Sequence, residues 1–159
     1  MFELDTQGGA DTDYDLLLEQ AEGLLSVSRD RIANAANLSA LLYATLDRVN
    51  WVGFYFLQGD TLVLGPFQGL PACVDIAVGA GVCGTAAATG EIQRVADVHA
   101  FEGHIACDAA SESEIVLPLV RDGELLGVLD IDSPVRDRFS ARDQEGLARL
   151  AAHWLGTVD

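Results

Sequence analysis

The chain has 159 residues, half of them apolar, with 25 acidic against 9 basic side chains and a formal charge of −16. Such a length and composition fit one compact domain that buries about 70% of its unfolded surface, not a disordered chain. The acidity argues against a nucleic-acid partner or an anionic membrane, since phosphate binding needs a basic face. All nine basic residues are Arg, so neither a Schiff-base lysine nor a P-loop lysine is available.

The N-terminal stretch MFELDTQGGADTDYD lacks a basic n-region and an apolar h-region, so it does not read as a signal peptide. No apolar run reaches the ~20 residues that span a bilayer. A cytoplasmic location is expected. Thiols stay reduced there, and three cysteines do not make a disulfide framework. Residues 1–12 read as a flexible acidic arm and 13–159 as the folded domain.

Apolar residues at helical spacing predict two helices across 14–47. VNWVGFYFL is aromatic and β-branched and predicts a strand. TLVLGPF predicts a second one, joined through the turn QGD, and ACVDIAV alternates as a third. GAGVCGTAAATG reads as a glycine-rich loop entering a short helix that stops at Gly90. EIQRVADV is a short strand, and 97–113 a long irregular loop of the kind that carries function. SEIVLPLVRDGELLGVLDIDS predicts a hairpin around Asp122-Gly123. A closing helix follows, with Ser140 and Asp143 spaced as a capping box. Hairpins dominate, so the expected fold is α+β: one largely antiparallel sheet with the terminal helices packed on one face.

Three cysteines, Cys73, Cys83 and Cys107, are the first candidates for chemistry. No C-x-x-C occurs, so their spacing does not support a zinc site. Cys83 suits the plain role of a small buried hydrophobe. Cys107 suits it least, because GHIACDAASESE is polar and loop-like. His104 and Asp108 beside it suggest a Cys-His-Asp hydrolase only weakly, since such triads are assembled from distant segments. Three carboxyls say more. Asp130 and Asp132 point to one face of a strand, and Glu114, about as far from the Asp122-Gly123 turn, lies across the hairpin from them. Packed carboxyls cannot all ionise, so at least one should keep its proton near neutral pH and donate a hydrogen bond. The competing view is a solvated strand end. The glycines of GAGVCG lack the strand–glycines–long helix order of a dinucleotide fold.

Five ordered blocks, NWVGFYFL, LVLGPFQGLPACV, GVCGTAA, DVHAFEGHIACDAASESEIVLPLV and GVLDIDSP, resemble the free methionine-(R)-sulfoxide reductases. That resemblance runs from about residue 14 to the closing helix. It implies a single GAF domain that reduces free methionine (R)-sulfoxide to methionine. It places the catalytic cysteine at Cys107, its disulfide partner at Cys73, and a third, resolving or auxiliary cysteine at Cys83. It assigns the grip on the sulfoxide to Glu114, Asp130 and Asp132, and the aromatic pocket to Trp51 and Tyr55. It further implies no bound cofactor or metal, thioredoxin as the external dithiol reductant, and a homodimer. The rival from another class is a GAF ligand sensor without turnover; a redox switch acting on a partner protein is a third reading.

Overall fold

The computed structural model describes residues 11–103 and 110–159. The expected acidic arm up to residue 10, and His104, Cys107 and Asp108, lie outside them. Two helices open the chain, α1 (Tyr14–Leu25) and α2 (Arg31–Thr45). The Asp13 carboxylate accepts the Leu16 N–H and the Asp30 carboxylate accepts the Ala33 N–H. Each cap satisfies a donor that a helix start leaves unpaired, for about 1 kcal/mol.

The strands β1 (Trp51–Gln58), β2 (Thr61–Gly69) and β3 (Asp75–Ala77) follow, then α3 (Gly81–Thr89) and β4 (Gln93–Val95). The hairpin β5 (Ser113–Arg121) and β6 (Glu124–Ser133) leads into α4 (Ala141–Thr157). They form one six-stranded sheet of order β3-β2-β1-β6-β5-β4, with every neighbouring pair antiparallel. This is the expected α+β arrangement. Val52 and Phe54 of β1, Ile115 and Leu117 of β5, and Leu129 and Ile131 of β6 pack on one face against Leu17, Leu38, Leu42, Leu147 and Trp154 of the helices. Asp122 (φ 53°) and Gly123 (φ 78°) both take the left-handed region, as a two-residue type I′ turn requires.

Two expectations need adjusting. The third strand shrinks to three residues at the sheet edge, paired only to β2. The glycine-rich stretch turns helical earlier than its composition suggests, so that Cys83 lies in the first turn of α3. Close packing overrides glycine's low helix propensity here: a Cβ at Gly84 would meet the Ala77 carbonyl oxygen at 2.5 Å.

A buried polar knot locks the closing helix to the rest. Arg138 donates to Asp143 (3.1 Å) and Asp47 (3.0 Å), and the Tyr14 hydroxyl donates to Asp143 (2.6 Å). Ser140 and Asp143 cap each other in the capping box expected of them. Burial pushes the Asp143 carboxyl up. The Ser140 N–H, the Tyr14 hydroxyl and Arg138 outweigh it, so the net shift is downward. Among the described residues no helix is long and apolar enough to cross a membrane.

Candidate active site

The sheet's other face carries the chemistry. In register, Trp51, Gly53 and Tyr55 of β1 lie opposite Asp132, Asp130 and Val128 of β6. Across β6, Glu114 and Val116 of β5 lie opposite Asp132 and Asp130. Side chains directly opposite in an antiparallel pair share a face, so the three acids stand together.

That meeting depends on an irregularity. The hairpin closes with Arg121 opposite Glu124. Continued without interruption, this register would set Glu114 opposite Ile131, on the helix-covered face. Instead Leu119 pairs with Gly127 and Val120 with Leu125, leaving Leu126 as one extra residue in β6. This β-bulge shifts the pairing by one and turns Glu114 onto the face of Asp130 and Asp132. Gly127 beside it is obligatory: a Cβ there would sit 2.1 Å from the Tyr55 carbonyl oxygen.

Glu114 and Asp130 are buried, to 7% and 5% exposure, Asp132 is half-buried, and Cys83 of α3 reaches the cluster at 4%. Donor atoms of Cys83, Glu114 and Asp130 all lie within 4.8 Å of one another. Burial first, then the charges of Asp130 and Asp132, push the Glu114 carboxyl well above the usual carboxylate range. The Glu114 carboxyl is hydrogen-bonded to both neighbours, an arrangement that favours its protonated form. Burial, then Asp130, Glu114 and Asp132, likewise raise the Cys83 thiol, which is hydrogen-bonded to Asp130. Cys83 is thus a buried, protonated thiol, poorly suited to nucleophilic attack.

An aromatic wall borders the acids. The Trp51 ring stacks on Phe67 at 5.3 Å and on Tyr55 at 5.9 Å, and its indole N–H donates to the Leu70 carbonyl (3.1 Å). Gly53 leaves room for this stack, since a Cβ there would meet Phe67 at 2.4 Å and the Trp51 ring at 2.6 Å. The Tyr55 hydroxyl donates to the Cys73 carbonyl (2.8 Å), tying the cysteine-bearing β2–β3 connection to the sheet. Burial, then Asp130 and Cys83, raise the Tyr55 phenol so that it stays a donor. Cys73 is held in a disulfide, whereas Cys83 is free.

The long loop is anchored at both described ends. The Val98 N–H donates to the Glu112 carbonyl (2.9 Å), and the Glu112 N–H donates to the Ser133 carbonyl (2.8 Å). His99 and Arg136 both approach the Glu112 carboxylate, at 3.3 and 3.6 Å. Glu112 stands two residues before Glu114, so the segment returns directly to the acid cluster.

The structure thus brings together Trp51, Tyr55, Cys83, Glu114, Asp130 and Asp132, with Cys73 linked through Tyr55. Phe67 escaped the sequence reading because TLVLGPF looks like any buried strand. The Cys83–Asp130 contact escaped it because 47 positions separate the two residues.

Comparison with known proteins matches residues 31–154 to the GAF domain family. A free methionine-R-sulfoxide reductase of Escherichia coli (strain K12) is 63% identical over 121 residues, covering 76% of this chain and 73% of that one. The structure of fRMsr of Staphylococcus aureus in complex with substrate superposes with a TM-score of 0.90 at 49% identity, covering 96% of this chain and 100% of that one. The free methionine-R-sulfoxide reductase of Neisseria meningitidis, also in complex with its substrate, gives a TM-score of 0.93 at 41% identity, covering 99% and 95%.

Proposed function

From the chain's membership of the free methionine-R-sulfoxide reductases, a family built on the GAF domain, we propose how its own residues carry out the reduction of free methionine (R)-sulfoxide to methionine. Membership favours this enzyme over the ligand sensor.

Cys107 attacks the sulfoxide sulfur. The neutral Glu114 carboxyl donates its proton to the sulfoxide oxygen, drawing electrons from sulfur and making it electrophilic. The S–O bond breaks as Cys107 bonds to the substrate sulfur and the protonated oxygen leaves as water; a water then attacks the Cys107 sulfur and breaks that S–S bond, so methionine leaves and Cys107 becomes a sulfenic acid. The Cys73 thiol then displaces that oxygen as water and forms the Cys73–Cys107 disulfide. An external dithiol, thioredoxin in this proposal, returns both thiols by exchange and is itself oxidised. Trp51, Tyr55 and Phe67 offer an apolar wall for the S-methyl group. Asp130 and Asp132, beside Glu114, hold the substrate's ammonium group, which accounts for preference for the free amino acid. Cys83 supports the cluster from α3 as an auxiliary thiol.

The burial of Glu114 against Asp130 and Asp132, which pushes its carboxyl well above the usual range, is the observation that carries this reading. The disulfide at Cys73, with Cys83 left free, supports the choice of resolving cysteine. The test is to give reduced protein one equivalent of substrate without reductant and map its disulfides by peptide mass spectrometry. A Cys73–Cys107 linkage is expected; a linkage through Cys83 as the first product would reassign the resolving step.

A further inference from the structure

The acid cluster has a donor set beyond what a sulfoxide needs. Cys83, Glu114 and Asp130 place one sulfur and two carboxylate oxygens within 4.8 Å of one another, all three side chains buried. For three atoms so spaced, some point lies no farther than about 2.8 Å from each, while zinc takes sulfur near 2.3 Å and carboxylate oxygen near 2.0–2.2 Å. Shifts of well under 1 Å per donor, within reach of side-chain torsions, would close the triangle. Asp132, opposite Glu114, adds a third acid. The sulfur ligand selects against magnesium and calcium, which take oxygen, and for zinc-like ions.

We propose that Cys83, Glu114 and Asp130 form a binding site for one divalent zinc-class cation within the acid cluster, in competition with the substrate. The thiol gives up its proton on binding. Three protein ligands leave the fourth tetrahedral position for water. The binding itself does not depend on the reductase reading; only the expected inhibition rests on it.

The test uses the full-length chain with Cys73→Ser and Cys107→Ser, so that Cys83 is the sole thiol, and with Zn²⁺ and Co²⁺ as probes. Equilibrium dialysis should show one tight zinc, and Co²⁺ should give a thiolate-to-metal charge-transfer band. Cys83→Ala added to this background should abolish the band. Asp130→Asn should weaken binding by more than about 10-fold, the loss that removal of even an outer-shell partner brings. Near-ultraviolet circular dichroism confirms folding of each variant. A chain that binds no zinc, or binds it equally well without Cys83, overturns the proposal. Zinc inhibition of the wild type, relieved by excess sulfoxide, is the consequence for turnover. Direct metal binding is read whether or not turnover occurs, so the two ideas fail separately.

Discussion

Glu114→Gln probes the protonated acid most cleanly. The substitution keeps the side-chain shape and removes the titration. In the folded protein Glu114 holds its proton well above the ordinary value of 4.5, whereas in the unfolded chain it releases it near that value. Between the two, folding takes up a proton, so stability falls as pH rises. The slope is about 1.4 kcal/mol per pH unit for one proton. The Gln variant lacks this slope. Its stability relative to wild type should therefore climb with pH above 4.5, by up to about 1.4 kcal/mol per unit over the range in which the folded Glu114 keeps its proton. The two proteins should converge in behaviour below pH 4.5. Urea unfolding of both, at matched redox state across this range, measures the difference. Parallel stability curves would show that Glu114 is ionised in the folded state, and the assigned proton donor would be wrong. Over the same range kcat/KM should fall on the order of 100-fold in the variant, the usual worth of a positioned general acid.

Gly127→Ala should disrupt the β1–β6 pairing, because its Cβ would sit 2.1 Å from the Tyr55 carbonyl oxygen; a loss of about 1–3 kcal/mol in urea unfolding is expected, together with loss of turnover. Tyr55→Phe removes the hydrogen bond to the Cys73 carbonyl and should cost about 1 kcal/mol, with slower disulfide closure in stopped-flow thiol trapping. Asp143→Ala removes one of the two carboxylates paired with the buried Arg138 and the acceptor of the Tyr14 hydroxyl, and should cost about 1–3 kcal/mol by urea unfolding. In wild type the Asp143 carboxyl is shifted below 3.8, so its stabilisation is present above that pH and fades as acid protonates it, visible as a falling Tm.

The sheet was largely legible because its signals are local. Aromatic and β-branched residues marked β1, the turn QGD led into β2, Asp122-Gly123 marked the hairpin, and Ser140 with Asp143 marked the start of α4. The face shared by Asp130 and Asp132 followed from strand periodicity. Glu114 joined them in the sequence reading by near-equal distance from the turn, an argument one residue too coarse: only the Leu126 bulge settles which face Glu114 takes. Bulges leave little trace in composition, since Leu126 is as apolar as its neighbours. Cys83 was seen as a buried thiol, and it is one. That it touches Asp130 depends on how α3 lies over the sheet, a tertiary fact no local pattern encodes. Cys107 lies outside the described residues, and its role rests on the resemblance of its surrounding sequence and on family membership.

The most direct measurement supplies resolved R and S epimers of free methionine sulfoxide with dithiothreitol and quantifies methionine, for wild type and for Cys107→Ser. The account predicts turnover of the R epimer alone, abolished in the variant. Equal turnover of both epimers, or R turnover that survives Cys107→Ser, would contradict it.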